Sequence, residues 1–138
     1  MYKKISIIIP AYNENENILK LIQNILSLNL NLKIIVVDDS RSKNKKLEKL
    51  NQKNKIHYLF RGKKLGRGSA VIDGLKFAKK KKFNTFIEMD ADFSHDPIEI
   101  KRNLEFFFKN KCDLLISSRY LKSSRIINWP ISRHILSY

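Results

Sequence analysis

Two aspartates separated by one residue, Asp90 and Asp92, close an apolar run in the segment Phe86 to Pro97, FIEMDADFSHDP, with Glu88 and Asp96 to either side. Like charges this close repel unless a cation lies between them. Hard oxygen ligands with few protein partners suit Mg²⁺ or Mn²⁺, which keep several waters and are completed by phosphate oxygens of a substrate. A second acidic pair, Asp38 and Asp39, ends the run IIVVDDS (Ile34 to Ser40), and PAYNENENI (Pro10 to Ile18) follows another apolar run. Helix capping explains part of this, through Asp96, or Asp92 with Ser94, and through Asp38 or Asp39. Capping alone does not explain why three separate apolar runs end in acids.

Such groups converge only if the runs are neighbouring strands. Ile5 to Ile9, Lys33 to Val37, Ile56 to Phe60, Thr85 to Met89 and Leu114 to Ser117 each have the length and composition of a strand, the first two β-branched enough for burial on both faces. Between them, Ile18, Leu21, Ile22, Ile25 and Leu26 recur at helical spacing, with Asn13 or Asn15 as cap. Ser42 to Gln52 forms a polar helix. Another begins at Gly68 with Ala70, Val71, Leu75 and Ala78 as its stripe, and another at Pro97 with Ile100, Leu104, Phe107 and Phe108 inward. A last helix opens at Pro130. Strands alternating with helices predict an α/β fold with a mainly parallel sheet and ligands at the carboxyl ends of its strands.

Composition narrows the classes. The chain has 138 residues, one domain's worth, and its 28 Lys+Arg against 13 Asp+Glu give a net charge of +15. Its surface therefore attracts polyanions, with nucleic acid, anionic headgroups and phosphorylated substrates all candidates. The single cysteine, Cys112, forms no internal disulfide and fits a reducing compartment. No apolar stretch reaches transmembrane length, so any membrane contact must be peripheral. Lys79 to Lys82 ends a helix, where cations favour the dipole. Gly66 and Gly68 make only half of a dinucleotide fingerprint, because Val71 holds its last position, so LGRGS predicts a tight turn into a helix.

Six blocks carry a resemblance: SIIIPAYNENENI, IIVVDDS, KLGRGSAVIDGLKFA, IEMDADFSHDP, DLLISSRYL and NWPISRHILS. In this order they resemble the amino-terminal part of a family 2 glycosyltransferase of the GT-A fold, in the dolichol-phosphate or polyprenol-phosphate mannosyltransferase branch. The resemblance covers essentially the whole chain and implies one catalytic domain over residues 1–138, incomplete at its carboxyl end.

The resemblance also implies residue roles. Pro10, Tyr12, Glu14, Val37 and Asp39 would line the base and ribose of a nucleotide-diphosphate sugar, while Asp90, Ala91 and Asp92 would hold its diphosphate and the Mg²⁺ or Mn²⁺. Ser94 stands where a further metal ligand occurs in the family. Arg119 would meet phosphate oxygens, and Arg133 with Ser137, spaced i and i+4, would bind the acceptor phosphate. The implied reaction moves a hexose, foremost mannose from GDP-mannose, onto polyprenyl or dolichyl phosphate with inversion, at the cytoplasmic face of a membrane. A UDP-sugar donor is the alternative. Family members continue beyond this length, so the expectation includes a missing carboxyl-terminal part or a partner subunit.

Two other classes fit less well. A receiver domain shares the VVDDS outline, but its acidic pair ends the first strand and its fifth strand precedes Lys-Pro, whereas the prolines here, Pro10, Pro97 and Pro130, follow Ile9, Asp96 and Trp129. Nucleic-acid binding rests on charge alone, with no basic and aromatic interleaving on a strand pair, so no nucleic-acid partner is expected.

Overall fold

The computed structural model describes residues 4–14 and 16–118. Its elements run β1 (Ile5–Ala11), α1 (Asn17–Ser27), β2 (Leu32–Asp38), α2 (Lys45–Gln52), β3 (Ile56–Phe60), α3 (Arg67–Lys80), β4 (Thr85–Glu88) and α4 (Glu99–Lys109). The chain divides into two compact units, residues 1–101 and 102–138. The first holds the sheet and everything described below as the site.

The four strands among the described residues are parallel, in the order β3-β2-β1-β4. Central β1 and β2 are the β-branched runs, and Ile7, Ile9, Ile34, Ile35, Val36 and Val37 are each 0% exposed. Such strands need helices on both faces. Alternation sends Ile8, Ile35 and Val37 to one face, where they pack with Ala70 and Ala78 of α3 and with Leu59, Phe77 and Phe83. Ile7, Ile9, Ile34 and Val36 take the other. In α1, Ile18, Leu21, Ile22 and Ile25 are buried, as expected, while Leu26 at the edge of that stripe is exposed.

The α3 stripe differs from expectation in an informative way. Ala70, Gly74 and Ala78 are its buried positions, and Leu75 is exposed. Small residues at this spacing let α3 lie close on the sheet: a Cβ on Gly74 would stand 2.5 Å from Ile8 Cγ2. Helix α2 is shorter than expected because Asn44 caps it, its Oδ1 accepting from the amides of Lys46 and Leu47 at 3.0 and 3.3 Å. Among the described residues no side chain caps α1: Glu16 holds the cap position without such a bond and Asn13 lies in the left-handed region at φ 56°, while Asn15 lies outside the described residues.

In the second unit, expectation and structure part. Leu114 to Ser117 forms no strand, and Leu114 and Ile116 are both 74% exposed. An apolar run becomes a strand only with a neighbour to complete its ladder, which is not a property of the run itself. On α4, Ile100 is buried, whereas Leu104, Phe107 and Phe108 are half-buried, the two rings meeting edge to face at 5.3 Å.

Candidate functional site

Strand pairing continues just past the regular elements and sets the loops. Asp39 N–H donates to Ala11 O at 2.9 Å, Arg61 N–H to Asp38 O at 2.9 Å, and Met89 N–H to Ile8 O at 3.1 Å. The chain leaves β1 for β2 on one side while β4 lies on the other, so a crevice must open at their carboxyl ends. A cleft of about 330 Å³ lies there. Pro10, Ala11, Tyr12 and Glu14 supply the wall after β1, and Asp39 comes from the end of β2. Lys64, Gly66, Arg67 and Ala70 form the wall leading into α3, and Asp90, Ala91 and Asp92 follow β4.

Asp39 is nearly sealed, its side chain 4% exposed. Its Oδ2 accepts from the amides of Leu65 and Gly66 at 2.8 and 2.9 Å, and its Oδ1 from Arg61 Nε. Burial works to raise its pKa, but the Arg61 bond, the two amides and the Arg61 charge outweigh that and hold the carboxyl below its ordinary 3.8. Arg61 in turn donates to Ser69 Oγ at 2.9 Å, Asp73 Oδ2 at 2.8 Å and Gly66 O at 3.2 Å. One guanidinium thus braces the turn into α3, where Gly66 takes φ 95°, the left-handed region open to glycine.

Asp38 works differently from its neighbour. It accepts from Ser40 N–H at 2.9 Å, from Ser40 Oγ–H, and from Tyr58 O–H at 2.6 Å, while Ser40 Oγ accepts from Asn13 N–H at 2.9 Å. Burial and the Asp38 bond push the Tyr58 phenol upward, so it stays protonated and donating. Neither acid of the pair caps α2.

At the β4 side, Asp92 Oδ1 accepts from Ser94 N–H at 2.9 Å. Burial would raise its pKa, yet the Ser94 hydroxyl and amide and its own amide lower it, so the group is an anion. His95 Nδ1 accepts from Asp90 N–H at 3.3 Å and so pins the loop. Across the cleft, Arg67 Nε donates to Asp90 Oδ1 at 2.7 Å and its Nη2 meets Glu88 Oε1 at 2.6 Å. Lys64 Nζ lies 4.5 Å from the Tyr12 ring centroid.

The glycosyl transferase family 2 model matches residues 6–137. The chain belongs to that family. Among its relatives, a dolichol-phosphate mannosyltransferase of Pyrococcus furiosus is 40% identical over 97% of this chain and 38% of its own. A polyprenol monophosphomannose synthase of Mycolicibacterium smegmatis is 33% identical over 95% of this chain and 51% of its own. An undecaprenyl-phosphate mannosyltransferase of Micrococcus luteus is 31% identical over 95% and 54%. The chain therefore spans about half or less of the length of these relatives. In structure it is similar to S. aureus TarS 1-349, with a TM-score of 0.64, 19% identity and 91% of this chain covered. The fold is GT-A.

Within this family 2 fold, Pro10, Tyr12, Glu14, Asp39, Asp90, Ala91 and Asp92 share one cleft. Val37 does not line it; the side chain is sealed beneath α3, since a residue two short of Asp39 along a strand still points into the core. Ser94 stands beside Asp92 rather than in the cleft lining. Arg119, Arg133 and Ser137 lie outside the described residues. Arg61, Arg67 and His95 were missed. Nothing local marks the two arginines, because each meets its partner only through the fold. Asp90 and Asp92 bring two hard-oxygen carboxylates to the cleft, a donor type compatible with Mg²⁺ or Mn²⁺, and no group of three or more acids, His or Cys able to hold a metal stands among the described residues.

Proposed function

We propose that the chain is the donor-binding part of an inverting, metal-dependent transferase that moves a hexose, foremost mannose from GDP-mannose, onto a polyprenyl or dolichyl monophosphate. The observation that carries this is the single cleft in which Tyr12 and Glu14 face Asp90 and Asp92 across the switch point. Support for the acceptor comes from the relatives, named for mannose transfer to dolichol phosphate, polyprenol or undecaprenyl phosphate. A UDP-sugar donor is the second reading on the same cleft.

Tyr12 is 40% exposed and offers a flat wall to a base. Glu14 stands beside it to accept from ribose hydroxyls. Asp39 has about four acceptor positions, three of them used by Arg61, Leu65 and Gly66, so it offers a base one further N–H site at most. Asp90 and Asp92 would hold the Mg²⁺ or Mn²⁺, which when bound supplies Lewis-acid stabilisation of the departing diphosphate. The acceptor phosphate oxygen forms the new bond to the anomeric carbon as the bond to the nucleoside diphosphate breaks, in line and with inversion. A phosphate monoester has a second pKa of about 6 and arrives ionised, so no general base is required of the protein. Arg119, Arg133 and Ser137 are the proposed anion-binding residues for this step, with the protein peripheral at the cytoplasmic face. No helix among the described residues is long and apolar enough to cross a membrane.

The test is a thermal-shift series. GDP-mannose with Mn²⁺ should raise the melting temperature, GDP-mannose in chelator should raise it less, and Asp92→Ala should abolish the difference. An Asp92→Ala protein with an undiminished metal-dependent shift removes Asp92 from the metal site. A larger shift with UDP-glucose than with GDP-mannose selects the second reading.

A further inference from the structure

Arg67 is the cation placed where the donor's charge must go. Its guanidinium spans the cleft from the first turn of α3 to the end of β4, with Nε on Asp90 Oδ1 at 2.7 Å and Nη2 on Glu88 Oε1 at 2.6 Å. A cation at a helix amino terminus works against the dipole, and that turn contains no acid. The carboxylates of Glu88, the last residue of β4, and of Asp90, just past it, are what hold it there. The other cations around the cleft have different partners: Arg61 is enclosed by Asp39 and Asp73, and Lys64 lies over Tyr12.

Asp90 is also one of the two carboxylates proposed for the divalent ion. A guanidinium and a divalent cation cannot both sit on one carboxylate in a small cleft without strong mutual repulsion. A diphosphate removes that conflict, because its oxygens neutralise both cations and match the guanidinium fork. We propose that Arg67 is a donor-diphosphate ligand held in reserve on Asp90 and Glu88, exchanging onto the diphosphate when a divalent cation takes Asp90. The inference rests on the donor-cleft reading. It makes metal and donor binding cooperative, since each is disfavoured alone by the resident ion pair and the two together satisfy every charge.

Binding by the full chain tests this without turnover. Free Mn²⁺ measured by electron paramagnetic resonance gives the metal affinity in the absence of nucleotide, and titration calorimetry gives GDP affinity in chelator and in Mn²⁺. Arg67→Gln should bind Mn²⁺ alone roughly twofold to fivefold more tightly, the ion pair being half exposed, and bind GDP in chelator roughly tenfold more weakly. Glu88→Gln keeps the guanidinium but loosens its hold, and should tighten GDP binding in chelator. Mn²⁺ affinity that is unchanged or lower in Arg67→Gln overturns the proposal, as does GDP affinity in chelator indifferent to position 67. Circular dichroism checks folding; were Arg67→Gln unfolded, Glu88→Gln decides, and GDP binding there that is unchanged or weaker overturns the exchange. Failure of wild type to bind GDP under any condition overturns both this inference and the donor-cleft reading, whereas GDP binding that ignores Arg67 overturns the inference alone.

Discussion

Asp39 and Asp38 are adjacent in sequence and unlike in use. Successive residues at a strand end point to opposite sides, so Asp39 meets the turn into α3 while Asp38 meets Ser40 and Tyr58. The sign of the Asp39 contribution to stability follows from its lowered pKa. A carboxylate whose folded pKa lies below its unfolded value stabilises fully above the unfolded value and loses that contribution as pH falls through the folded one. Asp39→Asn should therefore be less stable than wild type at pH 7, and the gap in denaturant midpoint should close as pH drops below about 4. A gap independent of pH would mean that packing and not charge carries the effect. That acids gather at strand ends was evident from sequence, because apolar runs ending in Asp are a local pattern. Their partners were not: Arg61 lies 22 residues from Asp39 and Arg67 lies 23 from Asp90, and only the fold brings them together.

Helix α3 carries more of the site than its weak apolar stripe announced. Periodicity pointed to Ala70, Val71, Leu75 and Ala78, and of these the two alanines are buried, joined by Gly74, so sheet contact is made where side chains are smallest. Close approach matters here because α3 begins at the cleft. Gly74→Ala should gain about 1 kcal/mol in helix propensity yet meet Ile8 Cγ2 in a core with no room to yield. Overpacking of this kind costs about 1–3 kcal/mol, so net destabilisation is expected, read as a lower urea midpoint with an unchanged slope. A stabilised Gly74→Ala would show that the sheet and α3 separate freely. The strands β1 to β4 were evident because β-branched runs bounded by turn residues are self-announcing. Leu114 to Ser117 has the same local look and forms no strand, because strand pairing is not a local property.

On the scale of the molecule, a net charge of +15 sets long-range behaviour. Binding to vesicles containing anionic lipid should weaken steeply as salt rises from about 0.1 M to 1 M, where the Debye length falls from about 10 Å to about 3 Å. Neutral vesicles should show little of this dependence. Salt-resistant binding to both would assign adhesion to apolar contact. The cleft is also a property of the whole sheet, since its walls come from the ends of β1, β2 and β4 and from the turn before α3. No local segment can form it alone, so partial unfolding of any one strand end abolishes it. A bound nucleotide sugar should then slow amide hydrogen exchange even at Ile7 and at Ile34 to Val36, deep in the sheet and outside the cleft lining. Those amides open only when everything opens.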